Sequence, residues 1–77
     1  MTITLPPAVV DASASEKLVW VVLDESGPLS AAELAAQTGL SQSGVYNALG
    51  ELRSRETVEK RRDPTDSYTH LFHTIQG

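Results

Sequence analysis

The sequence predicts an α+β fold in which three helices are followed by a two-stranded antiparallel hairpin. Three observations carry this prediction: serines suited to capping precede helical segments, a glycine closes the second of them, and the apolar period changes from 3.6 to two after Arg55. With 77 residues and no cysteine, the chain forms one domain at most, which buries about 60% of the surface exposed by the unfolded chain. We expect a core of Leu, Val and Ala in a reducing compartment.

Residues 1–12 are predicted to form an extended N-terminal arm before a domain of residues 13–77. The arm contains Pro6 and Pro7 and shows no helical period, and residues 2–5 suit a short strand. We expect its aliphatic side chains to be buried against the domain or against a second subunit.

A first helix is predicted from the pairing of Ser13 with Glu16, a capping-box pattern in front of residues 17–23. Gly27 and Pro28 end it. Apolar residues occupy almost its whole circumference, so the helix is expected to be buried on two sides or to form a subunit contact. One side carries Leu18, Val19, Val22 and Leu23, and Trp20 and Val21 point away from them. Trp20 is therefore expected to meet the N-terminal arm, the C-terminal strand or a second subunit.

The next two helices are predicted to form a helix-turn-helix. Ser30 and Glu33 repeat the capping-box pattern and open a second helix over residues 31–38, which Gly39 closes. Ser41 is the expected N-cap of a third helix that runs to about Arg55. Two helices joined by so short a turn containing a glycine form this motif.

A β-hairpin is predicted after the third helix. Residues 57–62 and 67–75 are rich in β-branched and aromatic residues, and residues 63–66 between them suit a turn. A four-residue turn pairs Arg62 with Ser67 and Val58 with Leu71, and places Arg61 opposite Tyr68.

The segments LSAAELAAQTGLSQSGVYNALGELRSR and VEKRRDPTDSYTHLF resemble the winged helix-turn-helix of MarR-like and TrmB-like prokaryotic transcription regulators, over residues 13–75. This resemblance implies that the third helix, residues 41–55, enters the major groove of double-stranded DNA. It also implies that the hairpin, residues 57–75, acts as a wing on the neighbouring backbone or minor groove. Many relatives carry a Gly-aliphatic pair where this chain has Glu56 and Thr57, so the junction departs from the family pattern.

The third helix has two chemically distinct faces. Its core stripe is Val45, Ala48, Leu49 and Leu52. The opposite face consists of small or short polar residues that allow close approach to another surface, namely Ser43, Asn47, Gly50 and Ser54, flanked by Gln42, Tyr46 and Arg53. An Asn side chain can pair with an adenine edge. The alternative is that this face is merely exposed to solvent, as on most surface helices. The position of the helix, second in a helix-turn-helix and just before a basic hairpin, favours a DNA-binding face.

Phosphate contacts are predicted mainly at the tip of the hairpin. Phosphate binding needs positive charge, and Lys60, Arg61 and Arg62 supply it, with about two of the three expected to touch DNA at once. Weaker candidates are the hydroxyls of Thr65 and Ser67 and the N-terminus of the third helix at Ser41. The candidate DNA-binding residues are therefore Ser41, Gln42, Ser43, Tyr46, Asn47, Arg53, Lys60, Arg61, Arg62, Thr65 and Ser67.

No catalytic, metal or cofactor site is predicted. His70 and His73 would point to opposite faces of a strand, without a third ligand, and no phosphate loop or nucleophile with its base is present. The longest apolar run, residues 18–23, is far shorter than a membrane span, and no secretion signal is evident, so we expect a cytoplasmic protein.

The net charge of −4 hides an uneven distribution. Residues 1–52 carry one base, Lys17, against six acids, whereas residues 53–77 carry five bases against four acids. The field near the hairpin can therefore be positive while the remainder repels DNA. An acidic chain with so few lysines also resembles proteins of salt-loving archaea.

The expected partners are double-stranded DNA and a second copy of the chain. A homodimer through the first helix, at Trp20 and Val21, and through the arm would offer two recognition helices to half-sites about 34 Å apart. The alternative function is a winged-helix module for protein association without direct DNA binding. The sequence shows no room for a separate effector domain, so an effector would have to act at the dimer interface.

Overall fold

The computed structural model describes residues 5–75, with all of their side chains except those of Ser67 and Tyr68. Four helices precede two strands, and the predicted α+β winged helix-turn-helix is confirmed. The elements are α1 (Pro7–Val10), α2 (Ala14–Ser26), α3 (Ala31–Thr38), α4 (Gln42–Ser54), β1 (Val58–Asp63) and β2 (Asp66–Thr74).

Serine hydroxyls begin the three longer helices, as predicted. The Ser13 hydroxyl accepts a hydrogen bond from the Glu16 amide at 3.3 Å and donates to the Glu16 carboxylate at 2.6 Å. Ser30 and Glu33 form the complete capping box, with reciprocal bonds of 3.1 and 3.0 Å. The Ser41 hydroxyl accepts from an amide in the first turn of α4 at 3.0 Å. These bonds satisfy amides that the helices leave unpaired.

The turn between α3 and α4 is held by two local devices. Gly39 has a φ of +77°, the left-handed conformation that glycine adopts without steric cost. The Thr38 hydroxyl donates to the Leu34 carbonyl at 2.6 Å and accepts from the Leu40 amide at 3.2 Å. Together they determine the direction in which α4 leaves α3.

The core lies between α2, α3 and α4, and one face of the hairpin closes it. The predicted stripe of α4 is fully buried, as are Leu34, Val19 and Leu23. Phe72 of β2 is buried with them and forms an isolated antiparallel bridge with Leu29, through N–H···O bonds of 3.0 and 2.8 Å. The sequence had not predicted this bridge, which ties the α2–α3 connection to the hairpin.

The predicted hairpin register is wrong. Val58 lies opposite Thr74 rather than Leu71, and Arg61 lies opposite Leu71 rather than Tyr68. The register shifts between Arg62, which pairs with His70, and Asp63, which pairs with Asp66, so β2 carries three extra residues. The physical reason is burial: in this register Phe72 and Val58 share the inward face, whereas the predicted register would turn Phe72 outward.

The N-terminal arm is not fully extended. Pro7–Val10 forms a helical turn, and Val9 is completely buried. Proline suits the first turn of a helix because its missing N–H is unpaired there anyway. Leu5 packs against the core as a partly buried side chain. The strand predicted over residues 2–5 lies largely outside the described residues, since residues 2–4 are not described.

The structure shows which sides of the first helix are covered. Trp20 is only 4% exposed in the single chain, where it lines a crevice with Leu5 and Pro6 of the arm, so its expected role as a dimer contact needs correction. Leu18, on the same predicted side as the buried Val19 and Leu23, is 41% exposed. Because α2 is apolar nearly all round, the helical pattern alone could not decide which side faced inward. No helix within residues 5–75 has the length and apolarity needed to cross a bilayer.

Candidate nucleic-acid interface

The polar face of α4 is solvent-exposed, as the helical angles predicted. Ser43, Asn47, Gly50 and Ser54 are all exposed, and so is the N-cap Ser41. Tyr46 at the edge of this face is 59% exposed, which is high for an aromatic side chain. The helix therefore presents short polar groups along one side while its Val45–Leu52 stripe anchors the other.

A groove of about 390 Å³ separates α4 from the hairpin. We call it the wing groove. It brings together four of the predicted site residues, Gln42, Tyr46, Arg53 and Lys60. It also contains residues that were not predicted, among them Ser30, Thr69 and His70, over an apolar floor that includes Leu49 and Phe72. The correct hairpin register would have been needed to find Thr69 and His70.

The register explains which bases reach the wing groove. Lys60 pairs with Phe72 and Arg62 pairs with His70, and directly opposed residues share a face. Because Phe72 is buried against the helices, Lys60, Arg62 and His70 project from the same side of the hairpin. Arg61 pairs with Leu71 and projects from the other side. The predicted alternation of the three bases is confirmed, and of them only Lys60 lines the wing groove.

The hairpin tip is held by Asp63. One oxygen of its carboxylate accepts hydrogen bonds from both the Thr65 amide and the Thr65 hydroxyl, each 2.8 Å long. These bonds favour the ionised carboxylate and lower the pKa of Asp63 below its ordinary value. The Thr65 hydroxyl, a predicted phosphate donor, thus has its proton engaged within the turn. The Ser67 side chain, another such candidate, lies outside the described residues.

Two arginines at the end of α4 have different surroundings. Arg53 is exposed and lines the wing groove. Arg55, the C-cap residue, donates from Nη1 to the Ala8 carbonyl of the arm at 2.9 Å. This contact with the arm gives Arg55 a structural role that the sequence did not reveal.

The junction between α4 and β1 takes the conformation that a glycine would favour. Glu56 has a φ of +60°, which places an L-residue in the left-handed region. Thr57 follows it, buried, and donates from its hydroxyl to the Leu52 carbonyl at 2.9 Å. The Glu56–Thr57 pair therefore keeps a sharp turn at the cost of some backbone strain.

The two histidines lie on opposite faces of β2, as predicted. His73 pairs with Glu59 across the hairpin, and its Nε2 lies 3.7 Å from the Glu59 carboxylate. His70 faces the wing groove. Within the described part of the chain, no group of three or more potential ligands could hold a metal ion.

The family model described as the MarR family matches residues 15–67, which is more than half of the chain. The chain belongs to the MarR family. The match covers α2 from its second residue, α3, α4, β1 and the start of β2, so it includes the groove residues of α3, α4 and β1 but not those of β2.

Solved structures of other proteins share this fold. A variant of ZitR from Lactococcus lactis is 18% identical, with a TM-score of 0.84 over 99% of this chain and 51% of its own. A probable transcriptional regulator from Pseudomonas aeruginosa is 19% identical, with a TM-score of 0.83 over 88% of this chain and 52% of its own. PcaV from Streptomyces coelicolor, solved with its natural ligand, is 22% identical, with a TM-score of 0.80 over 84% of this chain and 46% of its own.

The MarR-family chain spans about half the length of these solved structures. At such low identity the likeness concerns the fold alone. No curated protein matches the chain.

Proposed function

We propose that this chain binds double-stranded DNA in a sequence-specific manner as a cytoplasmic transcription regulator of the MarR family. α4 enters the major groove, and the hairpin holds the adjacent phosphate backbone. The observation that carries this proposal is the wing groove, where Arg53 from α4 and Lys60 from β1 flank one concave surface beside the exposed polar face of α4. Such a surface combines base reading with phosphate contact.

Base reading is assigned to the short polar side chains of α4. The Asn47 side chain can both accept a hydrogen bond from an adenine and donate one to it. Gln42, nearer the N-terminus of α4, carries the same amide group and can do the same. Gly50 lines the wing groove on the same helix, and nothing lies within 4 Å of the position where its Cβ would be. This open space lets a DNA backbone or base edge approach α4 closely.

Phosphate contact is assigned to the bases of the hairpin. Lys60 and Arg62 project from the groove side, where both can contact a DNA backbone that lies along the wing groove, whereas Arg61 projects from the other side. Two solved relatives are named as regulators, the adhesin competence repressor of Streptococcus pyogenes and the probable regulator of Pseudomonas aeruginosa. Those names support the same class of function here.

The DNA-binding unit is proposed to be a two-fold dimer. Val10 of α1 is 51% exposed and Leu18 of α2 is 41% exposed, so both offer apolar surface on the N-terminal part of the chain. Val21 is only partly buried and can extend that contact, whereas Trp20 is withdrawn from it. The dimer would address half-sites about 34 Å apart or a multiple of that.

The proposal is tested by fluorescence anisotropy with a labelled pool of random-sequence duplexes and with duplexes selected from it. Replacing Lys60 and Arg62, the two bases on the groove side, by Ala should weaken binding to both probes by roughly 60-fold at about 0.1 M salt, because each phosphate contact contributes a factor of about 8. Asn47→Ala should weaken only the selected duplexes, by about 5-fold or more, since it removes a base contact.

Lys17→Ala is the matched control, because it removes a base from α2, away from the wing groove. It should leave the affinity for both probes almost unchanged. If the wild type binds DNA no more tightly than the Lys60/Arg62 double variant, the DNA-binding proposal is wrong and the alternative of a protein-association module replaces it.

A further inference from the structure

We propose that His70 is a DNA-contacting residue of the wing groove and that it makes DNA binding depend on pH near neutrality. This inference rests on the proposed function and adds a residue and a mode of regulation to it. His70 is exposed, lines the wing groove and pairs across the hairpin with Arg62. An imidazole in that position carries a positive charge toward the bound backbone only when it is protonated.

The titratable side chains that surround His70 in the wing groove come from α4 and β1, and all of them are basic or neutral. α4 contributes Arg53 and the Tyr46 phenol, and β1 contributes Lys60 in the groove and Arg62 beside His70. No carboxylate is found among the described residues that line the wing groove. A phosphate that enters the groove therefore meets no carboxylate among these lining residues.

The acids on the neighbouring elements do not line the wing groove. On α3, the Glu33 carboxylate accepts from the Ser30 amide at 3.0 Å within the capping box. On β2, the Asp66 carboxylate accepts from the hydroxyl of Thr69, a groove residue, at 2.7 Å. The Glu59 carboxylate lies on the other face of the hairpin, beside His73. A phosphate in the groove would therefore bring a negative charge close to His70 that no lining residue supplies.

The coupling follows from linkage between proton and DNA binding. A phosphate near His70 stabilises the imidazolium, so protonation of His70 and DNA binding favour each other. DNA affinity is therefore highest when the imidazole is protonated, and it falls as the pH rises.

The test measures the affinity of the full chain for a labelled random-sequence duplex pool at about pH 6 and pH 8, at constant ionic strength. Wild type should bind about eightfold more weakly at pH 8 in about 0.1 M salt, the contribution of one phosphate contact. The slope of log affinity against log salt should also be shallower by about 0.9 at pH 8. A residue with a purely structural role would not change that slope.

Three variants separate His70 from other sources of pH dependence. His70→Gln should bind weakly at both pH values, and His70→Arg should bind tightly at both. His73→Gln, on the opposite face, is the matched control and should keep the wild-type pH profile. Circular dichroism of each variant checks the fold, which an exchange at an exposed position should leave intact.

The inference is overturned if wild type binds DNA equally well at both pH values, or if His70→Gln keeps the pH dependence. It is also overturned if His73→Gln abolishes that dependence. In these cases the chain still binds DNA, so the proposed function stands. Loss of all DNA binding by wild type at both pH values would instead overturn the proposed function, and this inference with it.

Discussion

The two sides of the C-terminal half of α4 differ in what they offer to the outside. On one side lies the wing groove, whose rim holds exposed Arg53 and Lys60. On the other lies a crevice of about 650 Å³ between the arm, α2 and the α4–β1 junction, which we call the arm crevice. It is lined mainly by packed apolar groups, including Trp20, and by Arg55, whose guanidinium holds the Ala8 carbonyl.

Arg53 and Arg55 are the same residue type but have different contacts, because they project from different sides of the helix end. Two residues along a helix correspond to a rotation of about 200°, so the two side chains point in nearly opposite directions. One reaches the basic hairpin and the other reaches the arm. We therefore expect substitutions in the wing groove to affect DNA binding and substitutions in the arm crevice to affect folding.

The largest effect is expected for Trp20→Ala in the arm crevice. Removing a side chain that is 4% exposed should lower the free energy of unfolding by about 3–5 kcal/mol, because the cavity adds to the lost burial. Urea denaturation followed by circular dichroism measures it. Tyr46→Ala in the wing groove is the aromatic control and should change stability by less than about 0.5 kcal/mol.

If Trp20→Ala proves too unstable to fold, Trp20→Phe provides the comparison, because it keeps most of the buried volume. A stability of Trp20→Ala equal to that of wild type would contradict the burial of this side chain in the single chain.

The two arginines should separate stability from DNA affinity. Arg55→Ala should cost about 1 kcal/mol of stability, because it removes a charged hydrogen bond to the arm, and should leave DNA affinity nearly unchanged. Arg53→Ala should leave stability nearly unchanged and weaken DNA binding by about eightfold at about 0.1 M salt. Denaturation and anisotropy on the same preparations measure both. If both substitutions weakened DNA binding equally, the claim that DNA contacts the wing groove and not the arm crevice would be wrong.

Gly50→Ala should raise stability by about 0.5–1 kcal/mol, because alanine is the better helix former and its Cβ meets open space here. The same substitution should weaken DNA binding if the backbone of α4 is approached closely at this point. Thermal denaturation and anisotropy together give the two effects. A more stable variant with unchanged affinity for selected duplexes would show that DNA does not contact Gly50.

The smallest effect is expected for Glu56→Gly at the edge of the arm crevice. Glycine relieves the left-handed strain of Glu56 but loses more entropy on folding, so the net gain should be about 0.5 kcal/mol. That corresponds to a rise of about 2–4 °C in the unfolding midpoint. A lower midpoint would mean that the Glu56 side chain contributes more than its conformation costs.

The helix-turn-helix was predictable because local chemistry determines its ends. Ser13, Ser30 and Ser41 each bond the first turn that follows, and Gly39 supplies the left-handed turn, so neighbouring residues contain the information. The core stripe and the exposed polar face of α4 followed from its period alone. The match to the MarR family confirms the family resemblance, while the TrmB-like resemblance and a salt-loving source stay predictions.

The hairpin register and the arm were not predictable in the same way. Either Leu71 or Phe72 could have faced the core, and the choice depends on the bridge between Leu29 and Phe72, which joins residues far apart in the sequence. The consequence for the site was substantial, because the register decides that His70 lines the wing groove. The contact between Arg55 and Ala8 is likewise long-range and left no local signal.

The central claim, that DNA binds across α4 and the groove side of the hairpin, is tested most directly by amide chemical shifts of the isotopically labelled chain during titration with a selected duplex. We predict the largest shift changes in α4 from Gln42 to Arg53 and around Lys60, Arg62 and His70, with small changes in α2. Changes concentrated in α1, α2 and the arm crevice, with the wing groove unaffected, would contradict it.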